Sequence, residues 1–357
     1  MKFNEINGFT KREIYELMFS RPSFAQLELT RNCNQDCAFC FSRCSSSVRF
    51  LELKPEQWIY IINNLSEIGV ATIHLTGGEV LLYQGIIEIL EEIKVLGLKS
   101  HINTNGLIDT TNIIPLTDEI VFSVHGLRDI HNGIVGNSNS FNSVIDNIER
   151  CNKAGIDVYL NTVMTKSNFG EIENIFNFFQ SHYDIKKYSF TLGAKSNNGL
   201  EFAHEFIVPT EENLKQYFNA LKKIGRDKLV LKHSMHTLFE FSPDDVNSIE
   251  LPICAAGKDK LVVKYDGSVY PCSFFQNDDY YCGNLLQEEA DAIWDLGKGF
   301  LKFRELIYDE KICIECQGCK KLTKCFGGCR IWTKAYIEKG EIYYDRDYRC
   351  EILHSSC

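Results

Sequence analysis

The sequence contains no long hydrophobic run. Nowhere do about 18 apolar residues follow one another, so it predicts no transmembrane helix. Residues 1–19 carry charges throughout and lack the apolar core of a signal peptide. Positive charge is scarce as well, because 38 Lys and Arg stand against 48 Asp and Glu, for a formal net charge of −10. We therefore expect a cytoplasmic protein whose partner is neither a membrane nor a nucleic acid.

Internal repeats and low-complexity tracts are also missing, and 357 residues suffice for one large α/β domain with a smaller module. Apolar strand-like runs alternate with amphipathic helical stretches. The runs that we interpret as strands are residues 24–29, 71–75, 99–103, 119–124, 157–164 and 187–192. Six strand–helix units predict an α/β fold with a parallel sheet, curved into a partial (β/α)6 barrel.

This alternation defines four predicted segments. An N-terminal helical extension covers residues 1–23, and the partial barrel covers residues 24–195. A bridging segment follows over residues 196–253, with a helix near its start at residues 210–225. Residues 254–357 form a small cysteine-rich domain in which tight turns predict short hairpins and helices.

Cysteine is abundant, with 15 residues, and most of it is clustered. A secreted chain would use such residues for disulfides, but in a reducing compartment metal binding is the better interpretation. Cys33, Cys37 and Cys40 have the spacing C-x3-C-x2-C directly after the first predicted strand. Three such thiolates would give a [4Fe–4S] cluster three ligands and leave one iron open. The alternative for this triplet alone is a structural metal loop.

Together with a second motif, this loop resembles the radical S-adenosylmethionine (SAM) superfamily over most of residues 24–200. The second motif is the turn Thr76-Gly77-Gly78-Glu79 after the second strand. The resemblance implies reductive cleavage of SAM to a 5′-deoxyadenosyl radical. It also implies that Phe39 packs near the adenine, and that the turn and the Glu79 carboxylate receive the SAM ammonium group. Phe39 in the core is the simpler alternative.

Two further strand ends match positions where members of this family contact SAM. Asn103 and Asn105 lie in the sequence NTNG, and Ser123 and His125 lie in the sequence SVHG. By resemblance, Asn103, Asn105 and Ser123 bind SAM, while His125 is a candidate for facing the substrate or is simply a satisfied polar residue. Relatives often carry an arginine after this motif, which residues 131–136 lack. Arg128 and Lys166 are the substitutes that we expect for the SAM carboxylate.

The C-terminal cysteines resemble the SPASM extension of radical SAM enzymes, which carries auxiliary iron–sulfur clusters. The resemblance assigns an outer cluster to four residues, Cys316, Cys319, Cys325 and Cys350. An inner cluster would use Cys254, Cys272 and Cys329, with Cys282, Cys313 or neither as fourth ligand. Together with the first loop this makes three [4Fe–4S] clusters. A zinc ribbon is an alternative for residues 316–329 alone. We expect the remaining thiols to be spare, namely Cys44, Cys151 and Cys357.

The resemblance is strongest to maturases that modify ribosomally made peptides, by cross-linking, epimerisation or backbone excision. A small-molecule substrate, a formylglycine-forming sulfatase maturase and a non-catalytic iron–sulfur carrier are the alternatives. Sulfatase-maturing relatives carry an acidic residue where this chain has Ser273. Only 32 residues precede Cys33, which is too few for a winged-helix leader-binding domain. We therefore expect three partners: a precursor peptide, a separate small leader-recognition protein, and a reductant such as flavodoxin or ferredoxin.

Overall fold

A computed structural model describes most of the predicted barrel and parts of the chain that follows it. The described residues are 21–37, 39–40, 42, 44, 51–193, 210–231, 254–308, 316, 319, 328–334, 347 and 349–350. The predicted N-terminal helix over residues 1–20 lies outside them, as do Cys313, Cys325, Cys357 and much of the bridging segment.

The six predicted strands are all present, and each leads into the next along the chain. Their bounds are β1 Phe24–Thr30, β2 Thr72–Gly77, β3 Lys99–Thr104, β4 Glu119–Ser123, β5 Asp157–Met164 and β6 Lys187–Leu192. Three short strands follow, β7 Lys260–Val263, β8 Ser268–Tyr270 and β9 Gly283–Asn284. The last three form the hairpins that the cysteine-rich segment predicts, because β7–β8 and β8–β9 pair antiparallel.

Helices connect the strands along one side of the sheet. Those within the described ranges are α1 Pro55–Glu67, α2 Ile86–Val95, α3 Arg128–Val135, α4 Ser140–Ala154, α5 Ile172–His182, α6 Glu211–Ile224, α7 Ala290–Leu296, α8 Lys298–Tyr308 and α9 Arg330–Lys334. Proline opens α1 because its fixed backbone angle suits the first helical turn. In the part of the chain that the structure covers, no helix is both long enough and apolar enough to cross a membrane.

The strands form one sheet in the order β6-β5-β4-β3-β2-β1-β7-β8-β9. Strands β1 to β6 are parallel and do not close on themselves, which confirms the predicted partial barrel. One connection was not predicted: β7, from the cysteine-rich segment, pairs parallel with β1 and extends the barrel sheet. The cysteine-rich hairpins are therefore continuous with the barrel.

The two faces of β1 show how the sheet divides the molecule. Ala25, Leu27 and Leu29 are completely buried in the hydrophobic core that the helices cover. Gln26 and Glu28 alternate with them and point to the opposite face. This inner face is polar, and the loops after the parallel strands meet at one edge of it. The candidate site lies at that edge, as the sequence predicts.

Candidate functional site

The loop after β1 brings together the three predicted cluster cysteines. Cys33, Cys37 and Cys40 are half-buried, and the Cys40 amide donates to the Cys37 carbonyl at 3.0 Å. Burial raises the pKa of Cys33 and Cys37, and the neighbouring thiols raise it further. Among the described residues, no three Cys, His, Asp or Glu side chains are close enough to share a single metal ion. A four-iron cluster is larger than one ion, and three thiols on one loop fit its ligand requirement.

Cys44 lies beside this set, although its spacing did not assign it to the loop. Its buried thiol hydrogen-bonds the Cys40 side chain, which raises the Cys44 pKa; burial adds to the shift. A fourth thiol therefore adjoins the cluster loop.

The glycine pair after β2 is fastened to the same loop. The Gly78 amide donates to the Thr30 carbonyl at 2.7 Å, and the Glu79 amide donates to the Asn32 carbonyl at 2.8 Å. A Cβ on Gly77 would lie 2.3 Å from the Thr30 oxygen, and a Cβ on Gly78 would lie 2.2 Å from the Asn32 oxygen. Both glycines therefore allow a close approach of two backbones. The hydrogen bonds from the Gly78 and Glu79 amides fasten the turn to the cluster loop.

Glu79 occupies the centre of this arrangement and is fully buried. Its carboxylate accepts hydrogen bonds from the Thr104 hydroxyl at 2.7 Å, the Asn105 amide at 2.7 Å and the Leu81 amide at 3.1 Å. Burial raises the Glu79 pKa, and these three donors oppose the shift. The side chain thus joins the β2 turn to the end of β3.

Asn105 continues the connection back to the cysteines. Its side-chain amide donates to Asn34 Oδ1 at 2.7 Å and lies 3.9 Å from Cys33 Sγ. Asn103 and Ser123, the other two predicted SAM contacts, are half-buried at the ends of β3 and β4. The structure therefore places Glu79 and Asn105 in one hydrogen-bonded group with the loop that carries Cys33.

His125 and Phe39, predicted separately, are in contact. Their ring centroids are 4.6 Å apart in an edge-to-face arrangement. Burial lowers the His125 pKa well below its usual value, and nearby His131 adds to this, so the ring is neutral. His125 Nδ1 accepts from the Val163 amide at 3.2 Å, which leaves the ring proton on Nε2.

A cavity of about 380 Å³ lies beside this pair. Its lining comes from the cluster loop, from α3 and from the turn after β5, namely Phe39, Asp129, Ile130, Gly133, Ile134, Thr165 and Ser167. Lys166 is exposed between two of these lining residues. Arg128 is exposed too, but it donates to Asn142 Oδ1 at 2.6 Å and lies over the Phe141 ring. Lys166 and Arg128 are each adjacent in sequence to residues that line the cavity.

A buried polar network that the sequence did not reveal joins this region to the cysteines. His131 Nδ1 accepts from the His125 amide at 3.1 Å, so its Nε2 donates to Ser140 Oγ at 2.9 Å. Gln35 Nε2 donates to the same hydroxyl at 2.9 Å, while Gln35 Oε1 lies 3.5 Å from Cys37 Sγ. Burial lowers the His131 pKa to about 4, which keeps the ring neutral. No sequence signal links these residues, because they lie on three separate elements.

Asn168 is a second residue that sequence reasoning missed. It is fully buried, and its side-chain amide donates to the His125 carbonyl at 2.8 Å and to the Val163 carbonyl at 2.9 Å. Its Oδ1 accepts from the Thr165 amide at 2.6 Å. Asn168 therefore holds the turn after β5 against the end of β4.

Three of the predicted auxiliary cysteines also come together. Cys254, Cys272 and Cys329 interact electrostatically with one another, and burial raises their pKa to about 11, about 11 and about 12 respectively. Cys282 is buried elsewhere, where its thiol lies 3.4 Å from the Tyr280 carbonyl and near Arg304. The three thiols fit an iron–sulfur cluster, and Cys282 is not grouped with them.

A buried ion pair connects Cys350 to Cys329 of this set. Arg349 donates to Asp347 through two nitrogens, at 2.9 and 2.6 Å, and Asp347 accepts from the Cys329 amide at 3.2 Å. The Cys350 amide donates to the Asp347 carbonyl at 2.8 Å. Cys319 likewise donates its amide to the Cys316 carbonyl at 3.0 Å. The fourth outer residue, Cys325, is outside the described residues.

Replacing Glu79 by alanine is expected to weaken SAM binding about tenfold, with the iron content unchanged. The change leaves three buried donors without an acceptor, each costing about 1–3 kcal/mol, and loosens Asn105 beside the cluster loop. Calorimetric titration with SAM measures the effect. The matched control is Glu91→Ala, on the exposed side of α2, which should bind SAM like the wild type. If Glu79→Ala binds SAM with unchanged affinity, the turn is not part of the SAM site.

Two known domain families match this chain. The model of the radical SAM superfamily matches residues 27–179, and that of the SPASM iron–sulfur cluster-binding domain matches residues 254–320. The AdoMet-dependent heme synthase of Methanosarcina barkeri is 24% identical over 93% of this chain and 97% of its own length. The sporulation killing factor maturation protein SkfB of Bacillus subtilis is 25% identical over 77% of this chain and 65% of its own length.

Solved structures share the fold. Streptococcus suis SuiB bound to S-adenosylmethionine superimposes with a TM-score of 0.73 at 19% identity, covering 95% of this chain and 80% of that one. SuiB has also been solved with the precursor peptide SuiA. The first match includes Cys33, Cys37 and Cys40, and the second includes Cys254 and Cys272 of the inner auxiliary set. The chain therefore carries a radical SAM domain over residues 27–179 and a C-terminal SPASM domain over residues 254–320.

Proposed function

We propose that this radical SAM enzyme abstracts hydrogen from a ribosomally made peptide and so begins a post-translational modification. The observation that carries the proposal is the grouping of Cys33, Glu79 and Asn105 at one edge of an open barrel with a polar inner face. A reduced [4Fe–4S] cluster held by the loop cysteines would supply the electron that cleaves SAM. The protein's own side chains would orient SAM and the peptide around it.

The SAM site that we propose uses residues from four strand ends. The turn Thr76–Glu79, with Asn103, Asn105 and Ser123, would hold the amino acid and ribose parts. Phe39 would pack against the adenine, since it lines the cavity beside the cluster loop. His125 presents a neutral ring against Phe39 and is our candidate for facing the substrate. Lys166 and Arg128 are the proposed partners of the SAM carboxylate.

We further propose three clusters, which correspond to roughly 12 irons per chain. The inner auxiliary cluster would use Cys254, Cys272 and Cys329, whose thiols lie together. Its fourth ligand would be Cys313 or no residue, since Cys282 lies apart. The outer cluster would use Cys316, Cys319, Cys325 and Cys350.

The peptide assignment is supported by SkfB, which is named as a maturation protein, and by SuiB, which has the same fold and binds a precursor peptide. A small-molecule substrate is the second candidate. The heme synthase supports it, because that similarity extends over 97% of the relative's length. A formylglycine maturase is less favoured, since Ser273 hydrogen-bonds Gln26 where those relatives have an acid.

The test is conversion of a precursor peptide encoded beside the gene, by the reconstituted enzyme with SAM and either dithionite or flavodoxin. We expect a mass change in the peptide and formation of 5′-deoxyadenosine that depends on it. A separate small protein that binds the leader should raise turnover at low peptide concentration, because tethering increases the effective concentration of the core peptide. Full leader-dependent turnover by the enzyme alone would contradict the proposal of a separate leader-binding protein. Turnover of a tetrapyrrole precursor but of no peptide would favour the second candidate.

A further inference from the structure

Glu28 is a buried carboxylic acid to which no role has yet been assigned. It lies on the inner face of β1, two residues before Thr30 at the strand's carboxyl end, and is 8% exposed. The neighbouring strand positions are Thr76 on β2 and the end of β7. A carboxyl group on this face points away from the hydrophobic core and into the concave side of the barrel.

One oxygen of the Glu28 carboxylate accepts hydrogen bonds from the described residues and the other does not. Gln276 Nε2 donates to Glu28 Oε1 at 2.7 Å, and Gln26 Nε2 approaches the same oxygen at 3.4 Å. Oε2 accepts no hydrogen bond from any residue that the structure describes, and it is not among the oxygens sealed from solvent. The group is thus positioned through Oε1 and open at Oε2.

The same polar group connects the two sets of cysteines. Gln26 donates to Ser273 Oγ at 2.9 Å, directly after Cys272, and accepts from Lys260 Nζ at 2.7 Å. Lys260 is buried and interacts electrostatically with Cys254, Cys272 and Glu28. Glu28 therefore lies along β1 between the first cluster loop and the inner auxiliary cysteines.

The charges around Glu28 allow it to exchange a proton near neutral pH. Burial is the largest effect and raises its pKa to about 7. Gln276, Lys264, Lys260 and Arg31 all act in the opposite direction, so the ionised form is not prohibited. Beyond the end of β1, the Glu52 carboxylate accepts from the Arg31 amide and the Thr30 hydroxyl.

We propose that Glu28 is a catalytic acid–base residue that contacts the substrate through Oε2 and accepts a proton from one of its O–H, S–H or N–H groups. This rests on the proposed function. The proton moves to the Glu28 carboxylate and the substrate heteroatom keeps the electron pair, so no electron is transferred in this step. A carboxylate oxygen that accepts no hydrogen bond from the described residues, on the polar inner face of the sheet, is suited to such a transfer.

The test compares Glu28→Gln with the wild-type holoenzyme on the precursor peptide. Glutamine keeps the shape but cannot take the proton, so peptide product should fall about 100-fold or more. Dithionite-driven 5′-deoxyadenosine formation without peptide should stay within about twofold, because Glu28 does not hold the SAM cluster. The matched control is Glu56→Gln, exposed in the first turn of α1, which should change neither rate.

The pH profile separates catalysis from structure. Wild-type peptide turnover should rise with pH through about 7, the pKa of Glu28, and Glu28→Gln should lack this rise. Gln276→Leu removes a hydrogen bond that lowers this pKa, so its profile should move to higher pH. Turnover by Glu28→Gln at the wild-type rate, or an unmoved profile in Gln276→Leu, overturns the proposal.

Failure of the proposed function would look different. The wild type would then leave the peptide unchanged at every pH while still forming 5′-deoxyadenosine. Glu28 can be tested in that case through stability. A folded-state pKa raised above the usual 4.5 gives stability that is present at low pH and lost as pH rises through about 7. As the pH rises through about 7, the free energy of unfolding of the wild type should fall relative to that of Glu28→Gln. If the difference between the two free energies does not change with pH, the proposed role of Glu28 is overturned.

Discussion

Replacing Cys33, Cys37 and Cys40 together by alanine is expected to remove about four irons per chain and all SAM cleavage. The three thiols lie on one loop that is bonded to the β2 turn, so the triple replacement removes all three ligands that we assign to this cluster. Iron determination and chromatographic detection of 5′-deoxyadenosine under dithionite measure the result. The auxiliary irons should remain, because their cysteines belong to a different part of the chain.

The control for this change is Cys151→Ala. Cys151 is buried in α4 beside the Thr110 hydroxyl, away from the cluster loop, and its loss should leave the iron content unchanged. Cys44→Ala is informative as well, since Cys44 contacts Cys40 without belonging to the triplet. Production of 5′-deoxyadenosine by the triple variant would show that the first cluster is bound elsewhere.

Replacing Gly78 by alanine is expected to lower the free energy of unfolding by about 3 kcal/mol and to abolish SAM binding. The added Cβ would lie 2.2 Å from the Asn32 oxygen and 2.8 Å from the Asn32 carbonyl carbon. Neither is a flexible side chain, so the turn and the cluster loop must separate. That separation breaks the hydrogen bond from the Glu79 amide to Asn32. Denaturant unfolding and SAM titration measure the two effects.

The matched control is Gly170→Ala, in the turn after β5. A Cβ there meets no atom within 4 Å, and the backbone conformation is one that alanine adopts readily. It should therefore change the free energy of unfolding by less than about 0.5 kcal/mol. Normal stability and SAM affinity in Gly78→Ala would mean that the two backbones are not held together in the working enzyme.

Much of the barrel could be predicted because the sequence patterns that specify its strands lie within short segments of the chain. The strands over residues 157–164 and 187–192 have the predicted bounds, and the others differ by one or two residues at an end. Parallel strands buried on the helical face require apolar runs, and these stand out in the sequence. The cysteine spacings were equally informative, since Cys33, Cys37 and Cys40 lie on one loop whatever the rest of the chain does.

What could not be predicted depends on residues far apart in the chain. The pairing of β7 with β1 joins residues more than 230 positions apart, and Gln276 contacts Glu28 across a similar separation. The connection from Gln35 through Ser140 to His131 likewise spans the cluster loop and two helices. Such long-range contacts produce no periodicity or fixed residue spacing in the sequence, so no local pattern predicts them.

The sequence by itself determined the family, the parallel barrel and the cysteines available to hold clusters, because strand periodicity and ligand spacing are properties of short segments. Only the tertiary structure showed that the glycine pair permits a close approach of the β2 turn to the cluster loop. It also decided the separation of Cys282 from the inner cysteines and the groups that surround Glu28. Burial and the approach of distant backbones set these features. Both arise only when the sheet and its covering helices have packed together.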